Sequence, residues 1–305
     1  MTGAGIAPRS ALREALAEAT YKNGDVRIAN PDLGGMDWLV ATHRGIFAIA
    51  GARIDLIVHG WFFGICQAGG HLFLFENCGH RNAGSNMGRI LRFDVDGKRL
   101  GGARVLVTGL HNNCHQLAVI DGLLCVVDTG NQVVRRYALD GGPADIRQPF
   151  PVAPLTDTSG AYLHINTIAK VGNRIGLVLH NGKADPPKNS EVAWLDGDWN
   201  VVERQSLPGQ CCHDIVEDEA GRLWHSLSIA GDIFRSDGVR VHVSDEQMTR
   251  GIALGRETIA IGTSTFGPRH LRGTLNGRLI LLDRATLGQL QVIELPAAPT
   301  DLIAI

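Results

Sequence analysis

Short apolar runs separated by glycine-rich turns recur along most of the chain, and each run has the length of a β-strand. After His115 the sequence reads HQLAVIDGLLCVVDTGNQVVRRYALDG, in which turn signals at Asp121-Gly122 and Gly130-Asn131 divide three apolar runs. This pattern predicts three antiparallel strands joined by tight turns. The same order of runs and turns begins near residues 62, 164, 213 and 250. The chain is therefore predicted to consist of repeated β-sheet units.

The two ends of the chain complement each other in this pattern. TDLIAI at the C-terminal end reads as a first strand with nothing after it, whereas residues 37–60 read as second, third and fourth strands without a first. With both ends counted as one unit, the chain contains six units. We therefore predict an all-β fold, a six-bladed β-propeller closed by the C-terminal strand, because this closure leaves no open sheet edge. A sandwich of regular strands is the alternative.

Composition agrees with a toroidal β fold and suggests its boundaries. The chain has 38 glycines among 305 residues, well above the average share of about 7%, as many turns require. Residues 36–305 are predicted to form a single propeller domain, since toroidal β folds often occupy this length as one domain. Residues 1–35 are predicted to form an N-terminal extension with a short helix.

Charge and cysteine usage restrict the partners and the compartment. The formal net charge is −2, which predicts no nucleic acid or anionic membrane as partner. No apolar run is long enough to span a membrane, and the N-terminus lacks the apolar core of a secretory signal. The six cysteines contain no C-x-x-C pattern, and four of them lie in or beside first or second strands, where small buried side chains are favoured over disulfides. A cytoplasmic location is therefore predicted.

Histidine recurs at the starts of three consecutive units. His115, His164 and His213 stand in NNCHQL, HINTI and GQCCHDI, and His164 lies midway between the other two. Because first strands line the channel of a propeller, these side chains are predicted to meet at one mouth. Three neutral imidazoles suit one divalent transition metal, with Zn²⁺ favoured and Fe²⁺ or Cu as alternatives.

The register leaves the third ligand open. Alignment on the buried aliphatic residues places Asn166, rather than His164, level with His115 and His213. The same alignment puts Phe63, Arg250 and Thr300 at this level in the other units. Without a metal, these histidines would serve only to hydrogen-bond the starts of the strands.

Long loops between second and third strands are predicted to reach the same mouth. They span residues 76–89, 180–191 and 264–278, and they carry Glu76, His80, Arg81, His180, Arg269 and His270. Glu76 is the candidate general base, since a carboxylate beside a metal-bound water is a common arrangement. The others, together with Asn166, are candidate substrate-binding residues. The arginines favour an anionic small-molecule substrate.

Two sequence motifs resemble known propeller families. LLCVVDTGNQVVRRYALDG resembles the NHL repeat, and the strand starts CHQL and CHDI are similar to those of peptidylamidoglycolate lyase, an NHL-type six-bladed propeller. That resemblance implies a zinc ion held by His115, His164 and His213, with Tyr162 and Arg250 as the catalytic tyrosine and arginine. Cys114 and Cys212 replace the proline of that family's motif. The gluconolactonase group is a second comparison, but its EGP motif does not occur here.

These observations predict a metal-dependent enzyme that acts on a small, anionic molecule at the channel mouth by lyase or hydrolase chemistry. Oxygenase chemistry on Fe or Cu at the same site is one alternative. A non-catalytic propeller that binds a ligand or a protein partner is the other.

Overall fold

The structure is a computed structural model that describes residues 9–79, 85–267 and 275–305. One α-helix, α1 (Arg9–Asn23), precedes the first strand. Within these ranges no helix is long and apolar enough to cross a membrane. The same ranges contain 24 strands, which pair into six four-stranded sheets.

The sheets are the blades of a propeller, and their strands follow the chain order. Blade 1 contains β24 (Pro299–Ala304), β1 (Trp38–Thr42), β2 (Gly45–Ala50) and β3 (Arg53–His59). Blade 2 contains β4 (Phe62–Ala68), β5 (His71–Asn77), β6 (Gly88–Asp96) and β7 (Arg99–Leu110). Blade 3 contains β8 (Cys114–Ile120), β9 (Leu123–Asp128), β10 (Val133–Tyr137) and β11 (Pro143–Arg147).

The remaining three blades repeat this order. Blade 4 contains β12 (Ile165–Val171), β13 (Arg174–Leu179), β14 (Glu191–Leu195) and β15 (Val201–Ser206). Blade 5 contains β16 (His213–Glu217), β17 (Leu223–Leu227), β18 (Asp232–Arg235) and β19 (Arg240–His242). Blade 6 contains β20 (Gln247–Leu254), β21 (Thr258–Thr265), β22 (Gly277–Asp283) and β23 (Gln289–Leu295).

The predicted closure of the ring is confirmed. β24 pairs antiparallel with β1, with Leu302 opposite Val40, so the C-terminal strand completes a sheet whose other strands come from residues 38–59. The first strands of neighbouring blades contact one another around the whole ring, which places them innermost. The six-bladed all-β fold predicted from the sequence is therefore correct.

Apolar side chains hold the blades together. The described residues form six hydrophobic clusters, and each cluster joins one pair of neighbouring blades. In β5, for example, Leu72 and Leu74 pack toward blade 1, whereas Phe73 and Phe75 pack toward blade 3. Successive residues of a strand point to opposite faces, and both faces of a blade are covered. This explains why the strands read as continuous apolar runs rather than alternating ones.

A β-bulge interrupts the pairing of the innermost strand in every blade. The bulges fall at the same level, where the first strand loses its register with the second. In order from blade 1 to blade 6, the unpaired residues are Thr300; Phe63; His115 and Gln116; Asn166; Asp214 and Ile215; and Arg250 and Gly251. Because a bulge redirects side chains away from the regular pleat, this level is where the fold can present polar groups to the channel.

Candidate functional site

Four histidines form a continuous row of ring contacts, which we call the imidazole arc: His115, His164, His180 and His213. The ring centroids of His115 and His164 are 5.2 Å apart, those of His164 and His180 are 4.5 Å apart, and those of His180 and His213 are 5.2 Å apart. The arc joins blades 3, 4 and 5. The structure thus brings together the three histidines proposed as metal ligands, with His180 between His164 and His213.

Hydrogen bonds assign the same tautomer to His115 and His213. Nδ1 of His115 lies 2.9 Å from the Asn113 carbonyl oxygen, which can only accept, so this nitrogen carries the proton. His213 likewise bonds the Cys211 carbonyl, two residues earlier, and its Nδ1 lies 2.8 Å from Ser228 Oγ. In both rings the lone pair is therefore on Nε2. His213 Nε2 is buried and has no hydrogen-bond partner among the described residues.

His180 has the opposite tautomer. The backbone N–H of Gly182 donates to its Nδ1 over 3.1 Å, so the neutral ring carries its proton on Nε2. His180 is therefore a hydrogen-bond donor toward the arc rather than an Nε2 ligand. This arrangement agrees with a substrate-binding role better than with a role as metal ligand.

His213 is held in the neutral form. Burial lowers its pKa well below the ordinary value, and the nearby charges of Arg250, His180 and His115 lower it further. Arg250, from the bulge of β20, is thus close to His213 in the neighbouring blade. A neutral imidazole beside a guanidinium combines a lone-pair donor with a fixed positive charge.

Asn166 and Tyr162 lie beneath the arc. Asn166 is 2% exposed, and its Nδ2 donates to the Cys212 carbonyl over 2.9 Å. Its Oδ1 is buried without a hydrogen-bond partner in the described ranges. The Tyr162 hydroxyl donates to the Thr129 carbonyl over 3.1 Å, while its ring packs edge-on against His164 with centroids 5.8 Å apart. Tyr162 therefore supports His164 through its ring.

Glu76 has a different environment from the one expected of a general base. Its side chain is almost completely buried, and Nε and Nη2 of Arg89 lie 2.8 and 2.7 Å from its Oε2. Burial raises the pKa of Glu76, while Arg89 opposes that rise. Arg89 also donates to the Asp25 carbonyl over 2.7 Å. The carboxylate thus belongs to an ion pair that fixes the segment after α1 to blade 2.

Four other predicted substrate-binding residues lie outside the described residues: His80, Arg81, Arg269 and His270. The loops that carry them connect second to third strands of blades 2 and 6, as predicted. His180 lies in the equivalent loop of blade 4.

An aromatic wall, His43, Trp61 and Phe63, continues the arc into blades 1 and 2. Trp61 and Phe63 are stacked with centroids 6.1 Å apart, and His43 lies 4.8 Å from Trp61. Phe63 reaches the arc, since its ring is 5.4 Å from that of His115. Phe63 was predicted at this level from the aligned strands, whereas His43, which the β1–β2 turn brings to the mouth, had no signal in the sequence pattern. The mouth is therefore aromatic at blades 1 and 2.

A second layer of polar residues lies one position further along the inner strands, and it was not predicted from the sequence. This inner polar layer consists of Gln116, Thr167, Asp214 and Asp301. Each of its side chains accepts a hydrogen bond from a backbone N–H on the inner strand of the next blade. Burial raises the pKa of Asp214 to about 6 and that of Asp301 well above its usual range; Asp214 raises the latter further. The sequence offered one signal for this layer: Asp214 and Asp301 directly follow His213 and Thr300, which occupy equivalent positions in the aligned strands.

The donors of the arc match the chemistry of a transition metal. Two Nε2 lone pairs, each on a ring whose Nδ1–H is bound to a backbone carbonyl, are typical of ligating histidines. Within residues 9–79, 85–267 and 275–305, however, no three His, Cys, Asp or Glu side chains are already placed to share one ion. A metal would therefore require some side-chain rotation within the arc.

Comparison with known proteins supports the fold. No protein-family model matches the sequence, and no curated protein is significantly similar to it. Among solved structures, a chain of a nidogen–laminin complex is 11% identical, with a TM-score of 0.63, over 88% of this chain and 98% of that one. A protein of unknown function from Bacteroides caccae is 10% identical, with a TM-score of 0.59, over 89% and 99%. At these identities the likeness shows a common fold alone.

A lyase is also among the similar structures. Virginiamycin B lyase from Staphylococcus aureus, in complex with quinupristin, is 17% identical over 79% of this chain and 78% of that one, with a TM-score of 0.49. This value is too low to support an argument about the site.

Proposed function

We propose that the protein is a metal-dependent enzyme that acts on a small, anionic molecule at the channel mouth, by lyase or hydrolase chemistry. The observation that carries the proposal is the matched tautomer of His115 and His213. His115 lies in the bulge of its inner strand, and His213 directly precedes the bulge of the inner strand two blades away. Both rings have Nδ1–H bound to the carbonyl two residues earlier. Such bonds orient Nε2 and raise its basicity, as they do in known metal sites.

The remaining ligand and substrate roles follow from the neighbours of these rings. His164 contacts His115 and is the proposed third ligand, with Asn166 Oδ1 as the other candidate. Tyr162 positions His164 by ring packing. The resemblance to peptidylamidoglycolate lyase in the strand starts supports zinc as the ion, and zinc would supply an electrophile and an activated water.

Substrate binding is assigned to the two donors beside the arc. Arg250 provides a positive charge next to His213, and His180 provides an Nε2–H. A carboxylate or similar anion would accept hydrogen bonds from both. The aromatic wall of blades 1 and 2 would face the apolar part of the substrate and exclude water from it. Glu76 has no part in this proposal because Arg89 occupies its carboxylate.

Metal content tests the proposal directly. We expect the purified protein to bind about one equivalent of Zn²⁺, and less of it at pH values low enough to protonate the ligand imidazoles. His115→Ala and His213→Ala should each lose most of the metal but keep their thermal unfolding transition, because closure rests on strand pairing. His164→Ala and Asn166→Ala decide which residue completes the set.

His242→Ala is the matched control. His242 lies on the outermost strand of blade 5, where its Nδ1 is 2.7 Å from Asp232. This variant should retain the full metal content. Full occupancy in both the His115 and His213 variants would exclude the site, and iron or copper in place of zinc would shift the assignment toward oxygen chemistry.

A further inference from the structure

The inner strands present one level of residues to the channel at the mouth. In blades 1, 2, 5 and 6 the residue at this level is partly exposed, while the residues before and after it are buried. Such a side chain faces the channel, because the adjoining blades cover its neighbours. From blade 1 to blade 6, the residues at this level are Thr300, Phe63, His115, Asn166, His213 and Arg250.

Flat rings line the mouth in unbroken succession from blade 1 to blade 5. The ring centroid of Phe63 lies 6.1 Å from that of Trp61, 5.6 Å from that of His43 and 5.4 Å from that of His115. From His115 the imidazole arc continues to His213. Aromatic rings attract one another beyond the effect of burial, through stacked and edge-on contacts. A planar π system on the ligand would therefore find ring partners along most of the mouth.

Blades 6 and 1 complete the mouth with a cation and a short side chain. Arg250 is the one arginine, lysine or carboxylate among the six residues at this level, and its charge acts on neutral His213. Thr300 lies between Arg250 and Phe63 in the order of the blades. Its hydroxyl is bonded to the next strand, with Oγ1 2.7 Å from the Phe62 carbonyl oxygen. A positive charge and an aromatic ring thus stand on either side of a small residue.

We propose that the substrate is an aromatic carboxylate, whose planar ring packs against Phe63 and whose carboxylate is bound by Arg250. The inference rests on the proposed function for the negative charge of the substrate, and it specifies the apolar part. Burial alone would favour a saturated ring of the same size, which is the more apolar of the two, whereas contact between rings favours the planar one. An aliphatic anion or a neutral arene would satisfy only one side of the mouth.

Three matched probes test the proposal by isothermal titration calorimetry. Phenylacetate and cyclohexylacetate carry the same charge and differ in the ring, whereas phenylacetamide keeps the ring and lacks the charge. Phenylacetate should bind about 2- to 12-fold more tightly than cyclohexylacetate, because one aromatic pair contributes about 0.5–1.5 kcal/mol beyond its buried area. Phenylacetamide should bind at least about tenfold more weakly than phenylacetate, since it loses a charge-assisted hydrogen bond. Equal or tighter binding of cyclohexylacetate, or no binding of either acid, would overturn the proposal.

Two variants separate the ring contact from the charge. Phe63→Leu keeps an apolar side chain but removes the ring, so it should abolish the preference for phenylacetate over cyclohexylacetate. Arg250→Gln should weaken both acids at least about tenfold and leave the ratio between them unchanged. Tyr137→Leu is the matched control, because Tyr137 is a partly exposed aromatic residue at the end of β10 far from the mouth, and it should keep the preference. A preference that persists in Phe63→Leu would contradict the assignment.

Titration of the wild-type protein before and after treatment with a chelator separates this inference from the proposed metal site. Phe63 and Arg250 lie on paired strands, so both acids should still bind, and the preference should persist, without metal. Loss of binding after metal removal would show that the ion, rather than Arg250, holds the carboxylate, and would overturn the assignment. Protein that binds Zn²⁺ without the preference would overturn the aromatic carboxylate alone. Protein that shows the preference but binds no Zn²⁺ would overturn the metal site alone.

Discussion

Single residues in the candidate site adopt backbone conformations that are rare outside glycine. His164, Asn181, Cys211 and Asp214 have φ values of 53°, 55°, 57° and 66°. A left-handed conformation costs a residue with a β-carbon about 1–2 kcal/mol. All four lie at the mouth or directly below it, and such strained residues tend to gather where function requires a fixed geometry. The local strain must be offset by the hydrogen bonds of the site and by packing between the blades.

Asp214 predicts an unusual pH dependence of stability. Burial raises its pKa to about 6, so the folded protein binds this proton more tightly than the unfolded chain, whose carboxyl has a pKa near 3.9. The contribution of Asp214 to the free energy of unfolding should therefore fall as pH rises toward 6. Between pH 5 and 7 the loss should be about 1.4 kcal/mol. Asp214→Asn should remove this slope, measured by urea unfolding at the two pH values.

Asp218 is the control for this measurement. Burial raises its pKa, but hydrogen bonds from Arg222 and Trp224 lower it more, so its pKa lies below the ordinary value. Asp218 is thus ionised in both folded and unfolded chains from pH 5 to 7, and Asp218→Asn should destabilise the protein without changing the slope. An Asp214→Asn protein with the wild-type slope would show that Asp214 does not titrate there.

At the scale of secondary structure elements, the positions of the strands could be predicted from the sequence. Which side chains contact one another across strands could not. The predicted starts of the innermost strands lie within three residues of the observed ones, because turn residues and apolar runs are local signals. The alignment that placed Asn166 level with His115 and His213 agrees with the hydrogen bonds of the residues that follow them, since Gln116, Thr167 and Asp214 each accept one from the next inner strand. The partner of Glu76 could not be read this way. Arg89 lies on the neighbouring strand, and only the pairing register brings the two together.

Within the candidate site, only residues at the starts of strands could be placed from the sequence. His115 and His213 begin strands, so their repeat was visible in the sequence. Cys211 and His43 belong to connections, and their distance from the arc depends on the path of each loop. Periodicity carries no information about such a path.

The ion pair between Glu76 and Arg89 predicts a stability effect in place of the expected catalytic one. Glu76→Gln should leave the Arg89 charge buried without a counter-charge, and a broken buried pair costs about 3–5 kcal/mol. Thermal or chemical unfolding should show this loss, while metal content stays unchanged. Glu18→Gln, which disrupts the exposed pair with Lys22, should cost less than about 1 kcal/mol. A stable Glu76→Gln protein with slow turnover would instead return Glu76 to the role of general base.

For the whole molecule, the ring depends on β24. This strand supplies the innermost position of blade 1, and Leu302 joins the cluster between blades 6 and 1. Deletion of residues 299–305 should therefore abolish cooperative unfolding or cause aggregation, followed by circular dichroism and light scattering. Removal of Ile305 alone, which lies beyond the last strand and contributes one hydrogen bond to Asp37, should cost far less. A truncated chain that melts like the full one would disprove the closure.

The shared blade also has a consequence for synthesis of the protein on the ribosome. β1 is made early, yet its partner β24 is translated after the other strands of the ring. Throughout elongation, β1 presents an unpaired edge of backbone donors and acceptors, the kind of edge that recruits other chains. Blades 2 to 6 can assemble as they emerge, whereas blade 1 stays incomplete until translation has passed residue 304. The newly made ring is therefore most exposed to misassembly in the interval before β24 emerges.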